Sequence, residues 1–166
     1  EVAQQQLCVH HHRSGGFLSY VQGQACTTIG AADCRPTATR QYAQQNYLFA
    51  RGIQENTYYD WDSTVQLPTL HAQNYCVQVH QQRLAVFLPQ HLRQASQSPL
   101  SVDYLWLQGN LKLYELSQLR DYYDYAHLVF DGSNPAYRRA KWADLCEEAG
   151  IAYTDLAKDG ALLIDL

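Results

Sequence analysis

The chain contains no methionine, not even at position 1, so it reads as a piece of a longer protein. No apolar run approaches the roughly 18 residues that a membrane-spanning helix needs, and the N-terminus has neither a basic nor an apolar targeting region. The stretch as it stands is expected to be soluble. It also lacks the basic excess of a domain that grips nucleic acid by its phosphates. The net charge is −4 and the pI near 5.9, and the one local basic cluster is Arg138, Arg139 and Lys141. A solvated helix face is the simplest reading of that cluster. Cys8, Cys26, Cys34, Cys76 and Cys146 are odd in number and form no C-x-x-C pair, so neither a zinc ribbon nor a disulfide framework is indicated. G-x-S-x-G, a glycine-rich phosphate loop and H-E-x-x-H are all missing, and with them the signatures of serine hydrolases, nucleotide binders and zincins.

What is present is an ordinary globular composition, 46% hydrophobic and 17% charged, with thirteen tyrosines and many glutamines that make the surface polar without making it ionic. A length of 166 residues suits one domain, 1–166, with a single sizeable core. Chemistry is first suggested by "LCVHHHRSGGF" at 7–17, three consecutive histidines before a glycine pair. Imidazole is the commonest zinc ligand, but on a strand over 6–11 neighbouring side chains point to opposite faces, so His10 and His12 share a side without His11. Two ligands do not make a zinc site, which needs four, or three and an open position. The run is therefore expected to end an exposed strand at a hairpin rim.

The first thirty residues predict a three-stranded meander, "QLCVHH", "FLSYV" and "ACTTIG", with turns at Gly15-Gly16 and Gly23. A helix follows in "TATRQYAQQNYLFARGI", with Tyr42, Leu48, Phe49 and Ile53 on one face and Gly52 as its stop. Tyr58 to Leu70 reads as aromatic and irregular, and "NYCVQVH" with "RLAVFL" as a hairpin. From "VDYLWL" onward strand and helix alternate: helix-like "KLYELSQLRDYY", strand "HLVF", helix "AYRRAKWADLCEEAG" opened by Pro135 and closed by Gly150, then strands "IAYTDL" and "ALLIDL". Trp142 shares a helical face with Leu145 and Cys146, which predicts its burial. The fold class is α/β (α+β), a mixed sheet covered by helices, with hairpins in the N-terminal half and αβ units in the C-terminal half.

Two polar loops follow the buried-looking strands, where α/β sheets commonly hold ligands: "LQGN" at 107–110 and "DGSNP" at 131–135. As turn formers they also explain themselves as a turn and a helix cap, with Ser133 or Asn134 as the capping residue. Placed side by side they make Gln108, Asn110, Asp131, Ser133 and Asn134 a candidate groove by position rather than by chemistry.

In their order, "QLCVHHHRSGGFLSYVQGQACTTIGAAD", "NYCVQVHQQRLAVFL", "SVDYLWLQGN" and "HLVFDGSNPAYRRAKWADLCEEAGIAYTDLAKDGALLIDL" resemble the soluble C-terminal region of the ComEC family of DNA-uptake channel proteins, bacteroidete type. The resemblance implies a metallo-β-lactamase-like fold. The family's metal-binding form carries a His-x-His-x-Asp-His loop, then a His-His-Gly, then a histidine loop. Here those places read "CRPTATRQYAQQ", "LQGN" and "DGSNPAYRR", although Asp33 can match the acidic residue that ends the early hairpin. The expectation is thus a degenerate site with no catalytic residue, no metal and no cofactor, and Gln108, Asn110, Asp131, Ser133 and Asn134 as a vestigial groove. The function implied is a non-catalytic accessory domain supporting DNA transport. Its partners would be the membrane channel domains of the same chain and, weakly, single-stranded DNA stacked on tyrosine or tryptophan. Its place would be outside the cytoplasmic membrane, periplasmic in a Gram-negative cell. The alternatives are a metal-dependent phosphoesterase or nuclease rebuilt from His71, His80, Asp60 and Asp62, and a protein-interaction module.

Overall fold

The computed structural model describes residues 4–12, 15–31, 38–93 and 98–166. Its α+β architecture has two sheets packed face to face. The smaller has the order β12-β1-β2-β3-β4, from Leu162–Asp165, Gln5–His10, Phe17–Gln22, Ala25–Gly30 and Glu55–Asp60. The larger runs β11-β10-β9-β8-β7-β6-β5, from Ala152–Asp155, Tyr123–Phe130, Leu100–Leu107, Gln82–Phe87, Cys76–Val79, Leu70–Gln73 and Val65–Gln66. Where the sequence suggested one sheet there are two, because the last strand leaves the second sheet and pairs antiparallel with β1, Leu7 opposite Ile164.

Period-2 patterning sets the layers. Leu7, Val9, Leu18, Tyr20 and Ile29 face Leu70, Val77, Val79, Val86, Trp106 and Val129 in an apolar core between the sheets. The opposite face of the larger sheet presents Phe87, Leu105, Leu107, Leu128 and Phe130 to helix α2, Ala136–Ala149. The runs "VDYLWL" and "HLVF" lie in β9 and β10 at the centre of this parallel part, covered on both faces as expected. Trp142 and Cys146 are fully buried, and the Trp142 indole N–H donates to the Leu113 carbonyl at 2.9 Å. Gly150 closes α2 in a left-handed conformation, φ 69°. Pro135 stands at the cap position with φ −58°, one step before the first helical residue. Asp155 caps the single turn α3, Leu156–Asp159, where the sequence suggested only a turn.

Several expectations are corrected. Residues 55–60 form β4, although Tyr58–Asp60 fall in the stretch the sequence suggests is irregular; the strand is held parallel to β3 by backbone pairing rather than by apolar alternation. The helix suggested at 112–123 shrinks to a 3-10 turn at Leu116–Asp121, since Leu111 and Leu113 are buried in alternation with exposed Lys112 and Tyr114. In helix α1, Ala38–Ala50, the buried face is made by Gln44 with half-buried Tyr47 and Leu48, whereas Phe49 is 87% exposed. Arg138 and Arg139 do not form a solvated face: Arg138 is buried, and Arg139 chelates both oxygens of Asp155 at 2.8 Å. The Tyr42 side chain, Cys34 and Asp33 lie outside what is described.

The histidine run is also not an exposed rim. Strand β1 ends at His10, which is only 3% exposed beneath α1. Its Nε2 meets Ser19 Oγ at 2.9 Å, its Nδ1 lies 3.7 Å from Cys8 Sγ, and its ring stacks on Phe17. Gln44 of α1 donates to Ser19 Oγ and to Thr28 Oγ1, so the layer between α1 and the smaller sheet is a buried polar network. Burial pushes the His10 imidazole down to about 4, and pushes Cys8 up to about 12. The unfolded chain binds a proton at His10 near the ordinary 6.5 and the native chain only near 4. Between those values the unfolded state holds the extra proton, so stability falls as the pH drops below about 6.5 and levels off near 4. The expected loss is on the order of 3 kcal/mol. Half-buried His91 and His127 are lowered too, so the contrast with His10→Gln isolates this residue. Urea unfolding from pH 7.5 to 4 should slope less in that variant. Parallel curves would place the titration elsewhere.

Candidate functional site

The two polar loops lie side by side, as their positions after adjacent parallel strands β9 and β10 require. They are stitched together. Ser133 Oγ accepts from the Gly109 N–H at 2.9 Å, and Asn134 Oδ1 accepts from the Leu111 N–H at 2.9 Å while its Nδ2 donates to the Leu107 carbonyl at 3.0 Å. Asn134, 2% exposed, thus tethers the loops instead of capping α2 through its side chain. Asn110 is exposed with φ 59° and accepts from Arg138 Nη1 at 2.8 Å, and that same nitrogen donates to the Leu111 carbonyl at 2.9 Å.

At the centre is Asp131, with no exposed surface. Its Oδ2 accepts from the Trp106 indole N–H at 3.0 Å and from the Gly16 N–H at 3.3 Å. Its Oδ1 accepts from the Ser133 N–H at 3.0 Å and from the Ser133 hydroxyl. One carboxylate therefore joins the β1–β2 turn of the smaller sheet to β9 and β10 of the larger. Gly16 makes this approach possible, because a Cβ there would lie 2.3 Å from the His10 carbonyl and 2.4 Å from the Trp106 ring. Burial raises the carboxyl above its usual range although its four donors pull the other way.

Gln108, only 4% exposed, keeps its side-chain nitrogen without a partner, as His11 does its Nε2 and Trp61 its indole N–H. Of the five residues proposed from position, Gln108, Asp131 and Asn134 are buried, Ser133 is half-buried and Asn110 alone is exposed. The two loops that carry the five lie side by side, and Asn110, Asp131, Ser133 and Asn134 are tied into a hydrogen-bonded seam rather than held as a set of open ligands, while the Gln108 side-chain nitrogen has no partner. Gly16 and Trp106, the donors that define the seam, were not singled out in the sequence. The signal available was a tryptophan inside a buried run, whose N–H needs an acceptor.

A divalent metal does not fit this donor set. Its only carboxylate is already surrounded by donors, and among the described residues no three His, Cys, Asp or Glu side chains are grouped to hold an ion. His71, His80, Asp60 and Asp62 are not gathered into such a group either. Compared with known families, the chain matches the one described as ComEC C-terminal domain over residues 7–166. No curated protein and no solved structure matches it.

Replacing Asp131 with Ala strands the Trp106, Gly16 and Ser133 donors in the interior, at a cost of roughly 2–4 kcal/mol. Asp131→Asn should cost less than Ala, since its amide oxygen still accepts while its NH2 opposes donors. Urea midpoints measure both. A residue kept for activity at the expense of stability would leave the midpoint unchanged or raise it.

Proposed function

The chain belongs to the ComEC C-terminal domain family, the region of a competence protein that serves DNA uptake, and from that premise we propose that it is a non-catalytic accessory domain of the uptake machinery. One observation carries the reading: the single carboxylate at the junction of the loops is buried and committed to four internal donors. Hydrolysis of a phosphodiester at such an edge needs a metal held by three or more ligands, with a position open for water. Here the same edge is closed by a hydrogen-bonded seam.

The layering of α1, two sheets and α2, with loops from β9 and β10 at one edge, supports the reading as a degenerate metallo-β-lactamase-like fold; assignment to the bacteroidete type rests on the sequence resemblance. In this reading the domain sits outside the cytoplasmic membrane, in the periplasm of a Gram-negative cell, against the channel domains of the same protein. No helix among the described residues is long and apolar enough to cross a membrane. The seam holds the two sheets in fixed register, and the domain acts as a rigid wall or guide for the strand in transit.

The test has two arms. The purified chain is incubated with single- and double-stranded DNA and a phosphodiester model substrate, with manganese, magnesium or zinc, beside Asp131→Ala. No cleavage above buffer is expected; metal-dependent cleavage would make the domain a nuclease. In cells, Asp131→Ala in the full-length protein should lower DNA uptake at least tenfold with the protein still in the membrane. Unchanged uptake would remove the domain from the transport path.

A further inference from the structure

Beside the seam lies a surface that combines exposed rings with positive charge. Tyr114 is 68% exposed and Tyr137 73% exposed. Each carries its own cation: Lys141 Nζ lies 5.8 Å from the Tyr114 ring centre and Arg138 Cζ 5.5 Å from that of Tyr137. Lys112, exposed, stands two residues before Tyr114, and the alternation of residues 111–114 turns both outward together. Tyr137 and Lys141 are four apart on α2 and so share its face.

The platform is rigid. The segment that carries Lys112 and Tyr114 is fastened to α2 and its approach at Asn110, Leu111 and Leu113 by Arg138, Asn134 and Trp142. Exposed rings this firmly backed lose little freedom when something stacks on them.

The cations of this platform make no ion pair with a carboxylate among the described residues. Arg120 and Arg139, by contrast, are neutralised, by Asp124 at 3.1 Å and by Asp155 at 2.8 Å. Arg138 is only 7% exposed, yet its contacts are neutral oxygens, those of Asn110, Leu111 and Tyr137, and its Nε has no partner. A buried guanidinium with no carboxylate partner among the described residues lends positive potential to the surface above it, where Lys112 and Lys141 are exposed.

We propose that Tyr114, Tyr137, Lys112 and Lys141, with the buried guanidinium of Arg138 behind the Tyr137 ring, form a binding face for single-stranded nucleic acid, the rings stacking bases and the lysines taking phosphates. Neighbouring rings and cations fit a polymer that alternates planar π-faces with negative charges, and such stacking tolerates any base. Duplex offers its phosphates but not its base faces. Glu115 and Asp144 border the face and keep the affinity modest and sensitive to salt. The face deepens the accessory role proposed above and rests on it for the identity of the polymer as DNA.

The test is fluorescence anisotropy of a labelled 20-mer of thymidylate with the purified chain at low salt. Tyr114→Ala and Tyr137→Ala should each weaken binding about tenfold, within the range for loss of one stacked base. Lys112→Gln should reduce the slope of log affinity against log salt by about 0.7. Phe49→Ala, an equally exposed ring on α1, should change nothing. Inorganic polyphosphate should bind with an affinity that the tyrosine variants do not alter. Tyrosine variants that bind as the parent does, equal affinity for duplex, or an equal loss in Phe49→Ala would each overturn the face. Undetectable binding by the parent chain would do the same. Lost uptake in the Asp131 variant without strand binding at this face would keep the accessory role and sink this inference alone.

Discussion

The contacts of Asp131 fix the relation between the two sheets at the edge where the loops after β9 and β10 meet. One oxygen takes donors from the turn of one sheet and from a tryptophan of the other, and the second oxygen folds the Asp131–Ser133 loop back on itself. A carboxylate can accept several hydrogen bonds without offering a donor of its own, so it can gather N–H groups from three segments at one point. Glycine at position 16 follows from that convergence, because the turn approaches the Trp106 ring more closely than any side chain would allow. The loops that close the edge, and the platform beyond them, are built outward from this knot through Ser133, Asn134 and Arg138.

The two faces of the smaller sheet use different physics. Towards the larger sheet the contact is apolar side chains in alternation, which fixes register because a one-residue slip would expose all of them. Towards α1 it is polar: Ser19, Thr28, Gln44 and His10 satisfy one another, and Tyr47 donates to Gln6. Such a layer holds only while its members stay paired, and because it is buried away from water, protonation of His10 within it is costly.

The parts of this fold legible in the sequence are those set by local periodicity and by turn residues. The meander β1–β3, the hairpin β7–β8, the buried parallel strands β9 and β10, and α2 with Gly150 at its end can be read directly, as can the adjacency of the two polar loops. Long-range pairing hid the rest. Strand β4, "ENTYYD", has no apolar alternation and owes its form to backbone bonds with β3. The segment "KLYEL" satisfies a helical pattern as well as the in-and-out alternation it adopts, and the choice is made by Asn134 and Trp142 from distant positions. Burial of His10, Asp131 and Arg138 could not be seen because each depends on partners far away in the chain. Of the candidate site, the adjacency of the two loops is legible but not the bonding within them: Asp131, Ser133 and Asn134 are taken up by hydrogen bonds to distant segments, whereas the Gln108 side-chain nitrogen has no partner.

Membership in the ComEC C-terminal domain family gives the setting of DNA uptake, and the proposed structural role rests on the seam. The most direct measurement is the hydrogen exchange of the Trp106 indole N–H at neutral pH, with the Trp61 indole, which has no acceptor, as internal contrast. The account predicts exchange of the Trp106 proton only through global unfolding, and a resonance that zinc and magnesium leave in place. Rapid exchange, or a shift of that resonance on adding either metal, would mean that Asp131 is free to turn outward as a ligand and would contradict it.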